Sequence, residues 1–237
     1  MSVLYANLFQ NNSQKCLFFS EILTSDIQEP FNVIVVDWSQ EAQQSYAIAS
    51  GFVPNAARRL RLFIEWLKEQ MPTLNIGDLH LVGFGLGAHV VGSAARQLPL
   101  QLGRVGRITG LDPAGSRWGP NSGRLHEGDA IYVEVIHTDS TGPLANGIGT
   151  AIGRINFYAN GGSNQPGCFS HSCSHQRAWD LFAASISNTR LVGYPCRTFT
   201  QNNLNLCKGY PLLMGGTQLN KRGYVYRINT KRSYPYK

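Results

Sequence analysis

The sequence of 237 residues lacks the long apolar run that a membrane-spanning helix requires, since no stretch of about 18 apolar residues is present. Internal repeats and low-complexity tracts are also missing, so a repeat or fibrous architecture is not expected. Charged residues make up only 15% of the chain and hydrophobic residues 43%, which argues against extended disorder. Length and composition together predict one globular domain, or one with a small appendage.

Metal-binding spacing is absent among the cysteines. The five cysteines include no CxxC pair, and no second group of ligands lies where zinc would need it, so we expect no metal and no other cofactor. Four of them lie in two close pairs, which favours two small-loop disulfides and an oxidising compartment. Cys16 is then either free or paired with a missing segment. The expected disulfides are Cys168–Cys173 and Cys196–Cys207.

The first residues do not predict a secretory leader, although the cysteine pairs suggest an extracellular protein. The segment from Met1 to Gln14 is polar, and Cys16-Leu-Phe-Phe19 is too short for the apolar core of a signal peptide. Either the leader lies on a missing upstream piece, or the protein stays inside the cell. We leave residues 1–30 unassigned.

Acidic residues are fewer than basic ones, and the formal net charge is +7. One interpretation is attraction to an anionic surface such as phospholipid or sulfated sugar. The other is a solvated basic face. Nucleic acid is disfavoured because no binding motif accompanies the charge, and a protein partner is left open. The basic residues cluster at Arg58, Arg59 and Arg61, at Arg104 and Arg107, and from Lys221 to Lys237.

The pattern of apolar residues predicts strands that alternate with helices. A β-branched run such as Asn32 to Asp37 is typical of a strand buried on both faces. This rhythm predicts a mostly parallel sheet with helices on its faces. The expected strands are 32–37, 79–84, 107–111 and 130–137, with an edge strand within 222–229. The expected helices are one with Pro54 near its start and Leu60, Phe63, Ile64 and Leu67 at helical spacing, then 88–98 and 174–186.

The segment from Leu79 to His89, LHLVGFGLGAH, is the most informative one. It runs from a strand through Gly83-x-Gly85-x-Gly87 into a helix, as the Gly-x-Ser-x-Gly turn of α/β-hydrolases does. The middle residue of that turn presents the nucleophile, but here it is Gly85, which has no side chain. The alternative is a phosphate-binding glycine turn. A dinucleotide fingerprint fits poorly, because position 88 is alanine and no acidic residue ends a strand about 20 residues on.

Candidates for the other two members of a catalytic triad follow in the order that this fold requires, nucleophile, acid and histidine. Asp112 ends the strand after the turn, and Asp139 follows the next strand, so either could be the acid. His175 lies later, at a predicted boundary between a loop and a helix. Each residue alone could be a helix cap or a surface group. Their order and placement together favour a hydrolase site.

These segments resemble successive blocks of the pancreatic lipase family, and the resemblance runs from about residue 31 to the C-terminus. The sequence is most similar to the insect neutral-lipase and phospholipase A1 branch, which lacks a C-terminal lipid-binding β-sandwich. The matching blocks are NVIVVDWS (32–39), GFGLGAH (83–89), GRITGLDPA (106–114), VIHTD (135–139), FYANGG (157–162), QPGC (165–168) and CSH (173–175).

The resemblance implies an α/β-hydrolase fold over residues 31–237, truncated at the N-terminus and forming one domain. It implies that Asp112 is the acid, that His175 is the histidine and that the amide of Leu86 is one oxyanion donor. No cofactor is implied. The family is extracellular and acts on carboxylic esters of lipids, so a lipid or phospholipid surface is the expected partner.

Three departures from the family pattern bear on activity. Gly85 replaces the serine, so no acyl-enzyme can form. The family's His-Gly-aromatic block, which supplies a second oxyanion donor, is absent, because no glycine precedes Gly51. The lid between Cys168 and Cys173 is reduced to four residues, and short lids accompany phospholipase A1 specificity in the family. We expect an inactive, lipid-binding homologue. The alternatives are an active lipase or phospholipase A1, if Gly85 is not native, and a truncated, non-functional gene product.

Overall fold

The strands of the described residues join in one nine-stranded sheet, in the order β2-β1-β3-β4-β5-β6-β9-β7-β8. The computed structural model describes residues 2–7, 32–187, 190–215, 221 and 223–237. The strands are β1 (Ser2–Asn7), β2 (Asn32–Asp37), β3 (Leu79–Phe84), β4 (Arg107–Leu111), β5 (Tyr132–His137), β6 (Ile155–Ala159), β7 (Val192–Pro195), β8 (Leu212–Leu213) and β9 (Val225–Ile228). The helices are α1 (Ser39–Ala42), α2 (Tyr46–Gln70), α3 (Leu86–Arg96), α4 (His171–Ser187) and α5 (Phe199–Asn203).

Strands β1 to β6 and β9 pair in parallel, whereas β7 pairs antiparallel with both β9 and β8. One face of the sheet packs against α2 and α3, and the other packs against α4. Each helix buries an apolar stripe against strands that are apolar on both sides. The predicted α/β-hydrolase fold is therefore confirmed. Among the helices of the described residues, none is long and apolar enough to cross a membrane.

The two ends of the chain enter the sheet in places that the sequence pattern did not indicate. Ser2–Asn7, within the segment left unassigned, lies between β2 and β3 and pairs in parallel with both. The C-terminal strand β9 was expected at an edge, and this was wrong. It lies between β6 and β7, because the short strands β7 and β8 extend the sheet beyond it.

Helix α2 begins earlier than expected, and the prediction that Pro54 stands near its start was wrong. The helix begins at Tyr46, and Pro54 lies inside it. The reason is a buried stripe that already starts in the first turn at Ala49 and continues to Ile64. Burying this stripe against the sheet outweighs the loss of one backbone hydrogen bond at the proline.

Both expected disulfides are present, Cys168–Cys173 and Cys196–Cys207. The first closes the four-residue lid segment immediately before and at the start of α4. The second closes the loop that contains α5. Cys16 lies outside the described residues.

A group of buried charges fastens the C-terminal part of the chain to the sheet. Glu134 on β5 is fully buried, accepts a hydrogen bond from Lys221 Nζ at 2.7 Å and lies 3.4 Å from the Arg107 guanidinium. Its other partners are the Tyr132 hydroxyl and the Gly215 amide, at 2.6 and 2.8 Å. Burial acts to raise the pKa of Glu134, but the charges of Arg107 and Lys221 outweigh it and leave that pKa lowered.

Neutralising this carboxylate should destabilise the fold strongly. Glu134→Gln leaves two buried cations without their counter-charge, so we expect the free energy of unfolding to fall by about 3–5 kcal/mol in a urea titration. The matched control is Glu41→Gln, since Glu41 pairs with the exposed Arg59 at 3.7 Å. That change should stay within about 1 kcal/mol. Equal losses in the two variants would contradict a central role for Glu134.

Candidate active site

The turn between β3 and α3 places Gly85 at the carboxyl edge of the sheet. Gly85 is the N-cap of α3, with φ 55° and ψ −118°, a backbone conformation that residues other than glycine rarely adopt. Its amide donates to the carbonyl of Leu111 at 3.0 Å, and its carbonyl accepts from the amide of Ala114 at 3.1 Å. The turn is therefore held on both sides by the chain that leaves β4.

Gly83 is needed because two backbone segments meet there. A Cβ at this position would lie 2.2 Å from the carbonyl oxygen of Gly87, which is too close for any side chain. The position of Gly85 differs, because a Cβ there would meet only the imidazole of His175, with Nε2 at 3.2 Å. The backbone of Gly85 thus directly faces His175.

Asp112 and His175 form a hydrogen-bonded pair next to this turn. The distance from His175 Nδ1 to Asp112 Oδ2 is 2.6 Å, and the carboxylate is fully buried. The other oxygen, Oδ1, accepts from the backbone amides of Thr138 and Asp139 at 2.8 and 3.1 Å. Three donors thus hold the carboxylate in one orientation, and its bond to Nδ1 fixes the tautomer of the imidazole.

His175 lies one turn inside α4, because that helix begins at His171 and not at the predicted Ser174. Its ring packs against the Phe84 ring with centroids 4.3 Å apart. Its backbone carbonyl accepts from the Thr138 hydroxyl at 3.3 Å. These contacts and the bond to Asp112 orient Nε2 toward Gly85.

Asp139, the alternative acid, lies beside this pair but binds a different histidine. Its Oδ1 contacts His171 Nδ1 at 2.7 Å, and its Oδ2 accepts from the amide and side chain of Asn146 at 3.0 and 2.8 Å. The structure thus contains two adjacent Asp–His pairs, with the two histidines four residues apart on α4. We did not predict the second pair, although the spacing of His171 and His175 was a signal for one helix face.

The amide of Leu86 is available at the same turn. Leu86 is the first residue of α3, so its N–H has no acceptor within the helix, and the helix dipole favours negative charge there. Gly85, Leu86, Asp112 and His175 are therefore brought together. The part of the chain where the family's second oxyanion donor would be sought, before Asn32, lies outside the described residues except for β1.

Comparison with known proteins identifies the family of the chain. The family described as Lipase matches residues 10–233, nearly the whole chain. The chain belongs to the lipase family. More specifically, it belongs to the pancreatic lipase family that the sequence blocks resemble, and its relatives include lipases H, lipoprotein lipases and a pancreatic lipase-related protein.

Three relatives illustrate how far the similarity of this lipase-family chain extends. Lipase member H-B of Xenopus laevis is 40% identical over 77% of this chain. Lipoprotein lipase of Gallus gallus is 35% identical over 85%, and pancreatic lipase-related protein 2 of Homo sapiens is 33% identical over 76%. The matched regions span only 40%, 45% and 43% of those relatives, so the chain corresponds to less than half of their length.

Among solved structures, a protein of the alpha/beta superfamily from Xanthomonas campestris pv. campestris superposes with a TM-score of 0.42. It is 11% identical, and the superposition covers 76% of this chain and 81% of that one. This similarity is too low to bear on function.

A buried histidine on α3 links this helix to the loop after Asp112. His89 contacts the carbonyl of Ala114 through Nε2 at 2.9 Å and accepts from the amide of Leu125 at Nδ1, 3.1 Å away. It also stacks on Trp118, with centroids 4.0 Å apart. Burial lowers the pKa of His89 to about 4, so the folded lipase homologue keeps this ring neutral.

The neutral ring makes stability depend on pH. In the unfolded chain His89 takes up a proton below its ordinary pKa near 6.5, whereas in the folded protein it stays neutral down to about pH 4. The free energy of unfolding should therefore fall by roughly 3 kcal/mol as the pH falls from about 6.5 to about 4. Burial lowers the pKa of His80 and His137 as well, which adds to this trend. His89→Gln should be less stable at neutral pH and show a shallower slope in urea titrations across this range. An unchanged slope would contradict the assignment.

The close approach at Gly83 can be tested by adding one methyl group. Gly83→Ala forces the backbones of β3 and α3 apart, so we expect a loss of about 3 kcal/mol or more in the free energy of unfolding. The matched control is Gly51→Ala within α2, where a Cβ would meet nothing within 4 Å. That change should stabilise the protein by about 0.5–1 kcal/mol. A well-tolerated Gly83→Ala would refute the packing argument.

Proposed function

We propose that the protein is a lipase homologue that binds lipid at a site that has kept its acid–histidine pair and lost its nucleophile. The observation that carries this proposal is the position of Gly85, whose backbone faces Nε2 of His175 with no hydroxyl between them. Without that hydroxyl, no covalent acyl intermediate can form. Loss of the nucleophile from a comparable triad lowers turnover by roughly 10⁶-fold.

The remaining groups are suited to an ester or its acyl chain, but not to rapid hydrolysis. Asp112 would hold the imidazole, as it does in the structure, and the amide of Leu86 would donate to a carbonyl oxygen. The family block that supplies a second oxyanion donor is absent from the sequence, and loss of one donor costs about 3 kcal/mol of transition-state stabilisation. The catalytic defect would thus have two parts, of which Gly85 is the larger.

An active carboxylic ester hydrolase is the second candidate, either a triacylglycerol lipase or a phospholipase A1. The orientation of His175 and the positive φ of Gly85 favour it, because both match the serine turn of α/β-hydrolases. The four-residue lid between Cys168 and Cys173 cannot cover a pocket, which favours phospholipid over triacylglycerol.

The same proposal includes a location and a domain organisation. Lipase-family relatives and two disulfides favour an extracellular protein. Residues 31–237 would form one lipase-like domain, whose sheet β1 completes between β2 and β3. The expected partner is a lipid or phospholipid surface.

Restoring the serine tests whether the rest of the site is intact. In Gly85→Ser the hydroxyl should come within reach of His175 Nε2, since a Cβ at this position already lies 3.2 Å from that atom. We expect covalent labelling by a fluorophosphonate, detected by mass spectrometry, and partial recovery of ester hydrolysis. The positive φ should lower the free energy of unfolding by about 1–3 kcal/mol.

Two controls separate reactivity from folding. Gly85→Ala should show the same loss of stability and no labelling. The double variant Gly85→Ser/His175→Ala should fold but react slowly, because its serine lacks a base. If Gly85→Ser folds and is not labelled, the loss of the serine is not sufficient to explain inactivity, and the proposed site is wrong.

A further inference from the structure

Charge is distributed very unevenly along the chain. The first 180 residues contain all 14 acidic residues and 12 of the 21 basic ones. Residues 181–237 contain nine Lys and Arg residues and no Asp or Glu. The net charge of +7 therefore arises entirely from the last quarter of the chain, which supplies β7, α5, β8 and β9. This part of the molecule is suited to an anionic partner.

The loop closed by Cys196–Cys207, named here the anchor loop, reaches the edge of the sheet that carries the candidate active site. The side chain of Asn229, just after β9, donates to the side chain of Asn205 at 2.9 Å. Asn202 donates to the carbonyl of Gly161, just beyond the end of β6, at 3.2 Å. Since β6 and β9 run parallel to β4, which Asp112 follows, Asn202 and Asn205 lie at the same edge as Asp112.

The anchor loop exposes aliphatic side chains at this edge. Leu204 and Leu206, which flank Asn205, are 62% and 52% exposed. Their backbone is ordered by bonds from their amides to the carbonyls of Thr200 and Gln201, at 2.9 and 2.8 Å, and by the disulfide. Single exposed leucines are common, but these two flank Asn205, which bonds to Asn229 on the wall of an adjoining depression.

The depression adjoins the anchor loop. It has a volume of about 550 Å³ and lies between β7, β8 and the end of β9. Val192 and Leu213 line it from one face of the sheet, since they are antiparallel partners. Arg190 and Lys237 also line it. Lys231, also exposed, lies two residues beyond Asn229. Apolar side chains and cations thus lie together around this depression, at the carboxyl end of β9.

We propose that the anchor loop and this basic, apolar edge seat the protein on an anionic phospholipid surface, with the carboxyl edge of the sheet facing the lipid. A lipid surface fits better than a sulfated glycan, because a glycan would contact the cations but leave exposed leucines in water. Leucines enter the acyl boundary while lysines and arginines remain among anionic headgroups. This inference rests on the proposed lipid-binding function and assigns it a surface outside the Asp112–His175 pair.

The test compares variants by co-sedimentation with vesicles made of equal parts phosphatidylcholine and phosphatidylserine. Leu204→Ser/Leu206→Ser should lower the partition coefficient about tenfold. Lys231→Gln/Lys237→Gln should lower the partition coefficient about tenfold and flatten its dependence on salt.

Each of these two double variants has a matched control. Leu100→Ser removes a leucine that is 86% exposed, between α3 and the start of β4 at the opposite edge. Arg58→Gln/Arg59→Gln removes two exposed charges on α2, outside the last quarter of the chain.

The outcomes distinguish this inference from the proposed function. Loss of binding in both edge variants, with wild-type binding in both controls, supports the anchor. If the wild type binds these vesicles but the leucine variant and Leu100→Ser bind equally well, the anchor is wrong and lipid binding stands. If the wild type binds only heparin beads, and independently of the leucines, the surface is a glycan site. No vesicle binding by the wild type would overturn the lipid-binding function as well.

Discussion

The buried carboxylate of Asp112 is the group on which the site depends. It stands at the end of β4, receives two backbone amides from the chain that leaves β5, and receives Nδ1 of His175 from α4. One side chain therefore connects the end of β4, the chain that leaves β5 and helix α4. A fully buried carboxylate is tolerated only when donors surround it, so this arrangement can persist only while all three elements stay in register. The same carboxylate leaves no room for a side chain at Gly147, where a Cβ would lie 2.5 Å from Oδ1.

The turn at Gly85 has a backbone conformation that would be strained for most residues, but glycine adopts it without strain. In a working hydrolase of this fold, a serine at the turn adopts a positive φ at a cost in stability. Here glycine occupies φ 55° without that penalty, and the bonds to Leu111 and Ala114 keep the turn in shape. The turn thus has the geometry that would present a nucleophile, although the serine hydroxyl is missing. This is consistent with a scaffold whose packing, at Gly83 and around Asp112, requires the turn regardless of chemistry.

The sequence was sufficient to predict β2 to β5 and both disulfides, whereas β1 and β6, which also lie within the sheet, were not predicted. Buried parallel strands leave continuous β-branched runs, and the turn at Gly83–Gly87 has a specific pattern. Strands β7 and β8 were missed because they have only four and two residues and carry Gly193 and Pro195. The pair Asp139–His171 and the ion pair Glu134–Lys221 join residues 32 and 87 positions apart. The spacing of His171 and His175 indicated a shared helix face, but no local pattern could reveal the partners of these pairs, since tertiary packing brings them together.

The most direct test of the central claim is the release of fatty acid from phosphatidylcholine by the unmodified protein, quantified by mass spectrometry beside a His175→Ala variant purified in the same way. If the nucleophile is truly lost, the two proteins should release fatty acid at the same rate as buffer, because His175 has no hydroxyl to activate. Hydrolysis by the unmodified protein that His175→Ala abolishes would contradict the account, since it would mean that another group attacks the ester from the position that Gly85 leaves open.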